Sequence, residues 1–117
     1  MLGHEIIHLL DLKNTALEDF ANQNDLFLKL AHKKVISVDH FKVFYRRREE
    51  ILQKISKIDI LIERACSFRE MDFVETSQSK TQVIDKQKIK KHWVTKIIEQ
   101  DLEIMTMYAE SNSSLLE

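Results

Sequence analysis

FKVFYRRREEILQKISKIDILIERAC, residues 41–66, decides how this chain folds. Phe41, Phe44, Arg48, Ile51, Ile55, Ile58, Ile62 and Ala65 recur at alternating steps of three and four without a slip. Residues repeating every 3.5 positions stay on one side of a helix, so this is a heptad seam. At 1.5 Å rise per residue the stretch makes a rod of roughly 40 Å. Tyr45, Leu52 and Cys66 form a second stripe on its flank, which predicts contact with two neighbours.

The rest of the chain has little that could interrupt helices. It contains no proline, and Gly3 is its only glycine. Average usage would give roughly six prolines and eight glycines in this length. β-Hairpins, Gly-rich phosphate loops and nucleophile elbows all need residues that are missing. Charged residues make up 32% of the chain and apolar ones 44%, the mix expected of amphipathic helices with solvated outer faces. The formal charge of -1 gives no overall attraction to nucleic acid or acidic membranes. A lone Cys66 allows no internal disulfide. The first ten residues lack the basic start and long apolar run of a signal peptide, and no stretch reaches the ~20 apolar residues of a membrane helix. The expectation is a soluble, cytoplasmic protein without membrane insertion.

Working outward, the periodicity predicts an all-α, elongated antiparallel bundle: a coiled-coil hairpin with a third, C-terminal helix. Its single domain spans residues 1–117, with helices at about 3–34, 38–67 and 82–110. In the first helix Ile6, Leu10, Leu17, Phe20, Phe27 and Ala31 make a seam that Lys13 and Asn24 interrupt. The polar residues between Asn14 and Asp25 weaken its propensity and allow a kink or fraying there. Val35, Ile36 and Val38 disfavour helix and mark the first turn, with Ser37 as N-cap of the second helix. Residues 68–81 read as a linker, within which Ser79 and Gln82 match a capping box. Residues 111–117 read as a polar tail. Charge runs from acidic (Glu5, Asp11, Glu18, Asp19) to basic (Lys29, Lys33, Lys34) along helix one. It runs from basic (Lys86, Lys88, Lys90, Lys91, Lys96) to acidic (Glu99, Asp101, Glu103, Glu110) along helix three. Side by side and parallel, as in an up-down-up bundle, these helices match opposite charges.

Few motifs suggest chemistry. His4, Glu5 and His8 match H-E-x-x-H, the spacing with which two histidines one turn apart bind zinc beside a glutamate base. Their place at the chain start, with no third ligand in view, favours a solvated helix start. No metal site, cofactor or catalytic residue is assigned, and the chain reads as a non-enzyme. Arg46 and Arg47 are followed by Glu49 and Glu50, which predicts a partly paired, solvated face. Arg48, on the seam, either snorkels or pairs with an acid from another helix. Trp93, after the basic run Lys86–Lys91, is an anchor in the core or at an interface. Cys66 reads as a packed thiol, and Asp59 and Asp101 as candidate ion-pair partners. Met105 and Met107 beside Ile97, Ile98, Ile104 and Tyr108 make an adaptable apolar surface suited to helical partners.

Residues 38–52, from Val38-Asp39-His40-Phe41 through Arg46-Arg47-Arg48-Glu49-Glu50 to Ile51-Leu52, resemble the second helix of bacterial flagellar type III export chaperones. Those families carry a turn ending in an acid, an apolar-x-x-apolar step, then Arg-Glu and a branched pair. The amphipathic stretch from Leu9-Leu10 to Phe20 resembles their first helix, and residues 97–104 resemble a later one. The resemblance implies a helical chaperone for type III secretion and flagellum assembly. It would bind the C-terminal helix of a hook, cap or filament subunit before export. It places the partner surface on Ile97, Ile98, Asp101, Ile104, Met105 and Tyr108, to which the interface reading adds Trp93. The other expectations are a structural coiled-coil subunit, homodimeric through the helix-two seam, and more remotely a zinc-binding protein through His4 and His8.

Overall fold

In the computed structural model, which describes residues 2–33, 37–67 and 77–116, three helices follow one another: α1 (Leu2–His32), α2 (Val38–Ser67) and α3 (Ser77–Leu116). They build a rod measuring 62 × 21 × 20 Å. The fold is all-α, as the heptad seam and the missing helix breakers predict.

The second helix has the bounds read from the sequence, and its start shows why. The Ser37 hydroxyl accepts a hydrogen bond from the His40 backbone N–H at 3.2 Å, the N-cap bond that satisfies a free amide of the first turn. His40 Nδ1 reaches back to the Ser37 backbone N–H at 3.1 Å, the reciprocal half of a capping box with histidine in the glutamate's place. The turn residues Val35 and Ile36 lie outside the described residues.

Two expected boundaries are corrected. Helix α3 starts at Ser77 rather than at residue 82, so residues 77–81 of the expected linker are helical and the Ser79–Gln82 capping box falls inside the helix. It also continues through Leu116, so the expected polar tail is helical up to its penultimate residue. Gln, Lys and Thr tolerate helix well enough that, with no proline or glycine to stop it, the helix propagates. The remainder of the linker, residues 68–76, lies outside the described part. Helix α1 is continuous through the polar stretch that allowed a kink.

Helix α1 is the centre of the molecule. Among the described residues it supplies Ile6, Leu10, Ala16, Leu17, Phe20, Ala21, Phe27 and Leu28 to the buried apolar core, whereas α2 supplies Phe44 and Ile58 and α3 supplies Ile104. It packs against both other helices, while no Cα of α2 comes within 8 Å of a Cα of α3 among the described residues. Against α2 it runs antiparallel: Phe27 stacks on Phe44 at 4.2 Å, Phe20 meets Arg48, and Lys13 pairs with Asp59 at 2.6 Å. Against α3 it runs parallel, each hydrogen-bond partner standing 71 to 79 residues further along. Asp11 pairs with Lys86 at 2.7 Å and His32 Nε2 lies 2.9 Å from Glu103 Oε1, so the acidic start of α1 lies level with the basic half of α3, in the order the sequence suggests. These exposed pairs contribute about 0–1 kcal/mol each and act mainly on orientation.

The seam of α2 is therefore turned inward on α1. Phe44 and Ile58 are buried, and Phe41, Ile51, Ile55, Ile62 and Ala65 are half-buried. A homodimer built on that seam would have to displace α1. Among the described residues the second neighbour predicted from Tyr45, Leu52 and Cys66 is not found: all three are exposed, Cys66 as a free thiol rather than a packed one.

Candidate functional site

The residues that broke the apolar pattern meet near the middle of the rod. Asn24, fully buried, donates from Nδ2 to Gln100 Oε1 at 3.1 Å. Gln100 donates from Nε2 to the Ala21 carbonyl at 3.0 Å and to Asp25 Oδ1 at 2.8 Å. Next to it, Asp101 Oδ1 accepts from Arg48 Nη2 at 3.0 Å, a bond that spans the gap between α2 and α3. The Arg48 guanidinium lies 4.6 Å from the Phe20 ring centroid and 5.0 Å from that of Phe44. Its charge thus sits over two electron-rich faces while one edge holds a carboxylate. Of the two expected roles for Arg48, pairing with an acid from another helix is the one found. Asn14 adds a further bond, from Nδ2 to the Lys86 carbonyl at 3.1 Å. A buried amide pair has one good register, because a slip leaves its groups unpaired in a dry environment.

This network divides the expected partner-binding residues. Ile104 is buried with Phe27, Leu28 and Phe44, with Met107 packed against the cluster. Trp93 and Ile97 are half-buried, and Asp101 is engaged with Arg48. Ile98 and Met105 point out, 55% and 66% exposed. The Tyr108 side chain lies outside the described residues. The expected set is therefore two faces: Ile104 serves the core, and Ile98 and Met105 are open to solvent.

The open face is wider than the sequence reading made it. Val94, Ile98, Leu102 and Met105 follow at steps of four, four and three, one stripe of α3, with Leu102 60% exposed. Ile98 and Met105 stand one turn to either side of Asp101, and Tyr45 and Leu52 one turn to either side of Arg48. Since Arg48 and Asp101 are bonded, these exposed side chains border one opening, with the ion pair at its floor. Leu102, Val94, Tyr45 and Leu52 belong to the surface on equal terms with Ile98. The flank stripe of α2 was the sequence signal for half of it.

The other motifs stay separate. His8 is exposed, and the His4 side chain lies outside the described residues. Among the described residues no group of three or more His, Cys, Asp or Glu is arranged to hold a metal ion. Arg46, Arg47, Glu49 and Glu50 are all exposed and form no ion pair among the described residues, contrary to the pairing their spacing suggested. Lys96 lies 5.7 Å from the Trp93 ring centroid and 3.6 Å from Asp25. Asp59 and Asp101 both form ion pairs, each at a partly exposed position. Among the described residues no helix is long and apolar enough to cross a membrane. No family model, curated protein or solved structure matches this chain.

Proposed function

We propose that the chain is a non-enzymatic binding protein that covers an amphipathic helix of a partner, in the manner of a flagellar-type export chaperone. One observation carries this reading: the stripe Val94, Ile98, Leu102 and Met105 is exposed beside Tyr45 and Leu52, with no helix among the described residues on top of it. Helix-in-groove recognition uses anchors at such spacings, and methionine adapts to varied contours. A chaperone of this kind holds the partner's helix in its opening and keeps that helix from self-assembling. The cytoplasm, where an export substrate waits, is the corresponding location.

The test compares wild type with an Ile98→Asp, Met105→Asp double variant as bait in the source cell's lysate. The reading expects one dominant protein that the variant fails to retain. A synthetic peptide of that protein's C-terminal helix should then bind wild type one-to-one. Equal retention by both baits, or a peptide that does not bind, would overturn it.

A further inference from the structure

The way α3 is attached to α1 changes along its length. Gln100 and Ile104 are buried, and Met107 packs on the cluster of Phe27, Leu28 and Phe44. Over residues 80–99 no side chain is fully buried, and the apolar Val83, Trp93 and Ile97 are half-buried. Polar contacts join that stretch to α1. Lys86 pairs with Asp11 at 2.7 Å, Asn14 donates to the Lys86 carbonyl at 3.1 Å, and Lys96 lies 3.6 Å from Asp25. The four charged side chains are between 28% and 50% exposed, so water and salt reach them. Helix α2 is held on α1 by other means: buried Phe44 and Ile58, with half-buried Phe41, Ile51, Ile55 and Ile62. Dissolved ions screen exposed charge pairs and leave apolar burial in place.

We propose that residues 80–97 of α3 form a strap fastened to α1 by charge, which opens as ionic strength rises while the helix stays anchored at Gln100 and Ile104. The anchor is held by the bonds of Gln100 to the Ala21 carbonyl, to Asp25 and from Asn24, and by the Arg48–Asp101 pair beside it. Asp25 stands at the junction: its Oδ1 accepts from Gln100, and its Oδ2 faces Lys96. Loss of the Lys96 contact therefore loosens the strap without undoing the anchor. Once off α1 the strap is a short helix with nothing packed on it, and such helices are marginal in water, so its amides open. Opening uncovers the flank of α1 that carries Asn14 and leaves the α1–α2 hairpin as it is.

The device belongs to the chain by itself, so its test needs no partner. Raising salt from about 0.01 M to about 1 M shortens the screening length from about 30 Å to about 3 Å. Amide hydrogen exchange of the full chain, read residue by residue by NMR against intrinsic rates at the same salt, should then speed up about fivefold across residues 84–97. It should change by less than about twofold across residues 100–107 and across α2. A Lys86→Gln, Lys96→Gln variant should exchange its strap at the fast rate in both salts. Lys88 and Lys91 are exposed and without an ion pair among the described residues, so Lys88→Gln, Lys91→Gln makes the same change of charge and should keep the wild-type salt response. Equal protection along α3 at both salts, an acceleration shared by α2, or the same salt response in both variants would overturn the proposal.

Discussion

Asn24 and Gln100 allow a quantitative test of the network at the middle of the rod. Asn24→Leu removes the amide that donates to Gln100 Oε1 and strands that oxygen in the core. Gln100→Leu leaves Asn24 Nδ2 with only a 3.5 Å approach to Asp101 Oδ1. A buried polar group without a partner costs about 1–3 kcal/mol, so each single change should destabilise by about 2 kcal/mol. With a urea m-value of about 2 kcal/mol/M, each midpoint should fall by about 1 M. The double change replaces both polar groups by hydrocarbon of similar size and should return much of the loss, because nothing is stranded on that side. The coupling energy should therefore be about 2 kcal/mol, within the range for residues in direct contact. Urea melts of the four proteins, followed by circular dichroism, close the cycle. Single changes that cost under about 0.5 kcal/mol, or a double whose loss is the sum of the two, would refute the view that this pair fixes the α1–α3 register.

Other outcomes follow from the same geometry. Arg48→Ala should cost about 3 kcal/mol, and Arg48→Met distinctly less, since methionine keeps contact with the Phe20 and Phe44 rings; chemical denaturation compares them. Ile104→Asp should unfold the chain or lower its melting temperature by many degrees, whereas Ile98→Asp and Met105→Asp should stay within about 0.5 kcal/mol of wild type in thermal melts. Asp11→Lys should cost no more than about 1 kcal/mol, most of it recovered by adding Lys86→Glu and all of it suppressed at high salt, read from melts at two ionic strengths.

What the sequence made legible depended on how local the cause was. The bounds of α2 could be read because the seam and the Ser37 cap are both determined within a few residues. The polar residues at the ends of α3 look like breaks, but polarity without proline or glycine does not end a helix. Lys13 and Asn24 stood out as interruptions, but their partners Asp59 and Gln100 lie on other helices, and no local pattern links them. The same limit applied to the candidate site. Ile98 and Ile104 look alike in sequence. Only the register of α3 on α1 shows that one is open and the other sealed.

The central place of α1 also orders events in time. Its antiparallel contacts with α2 join residues close in sequence, while its contacts with α3 join residues 71 to 79 positions apart. Near contacts close at less entropic cost, so the α1–α2 hairpin forms before α3 can dock, and during synthesis it emerges first. For that interval the flank of α1 that will later receive α3 is bare. Asn14 and Asn24 lie along it, among apolar neighbours such as Leu28. While the ribosome completes the chain, that waiting flank offers water two amides to solvate instead of an unbroken hydrocarbon strip that a neighbouring nascent chain could seize.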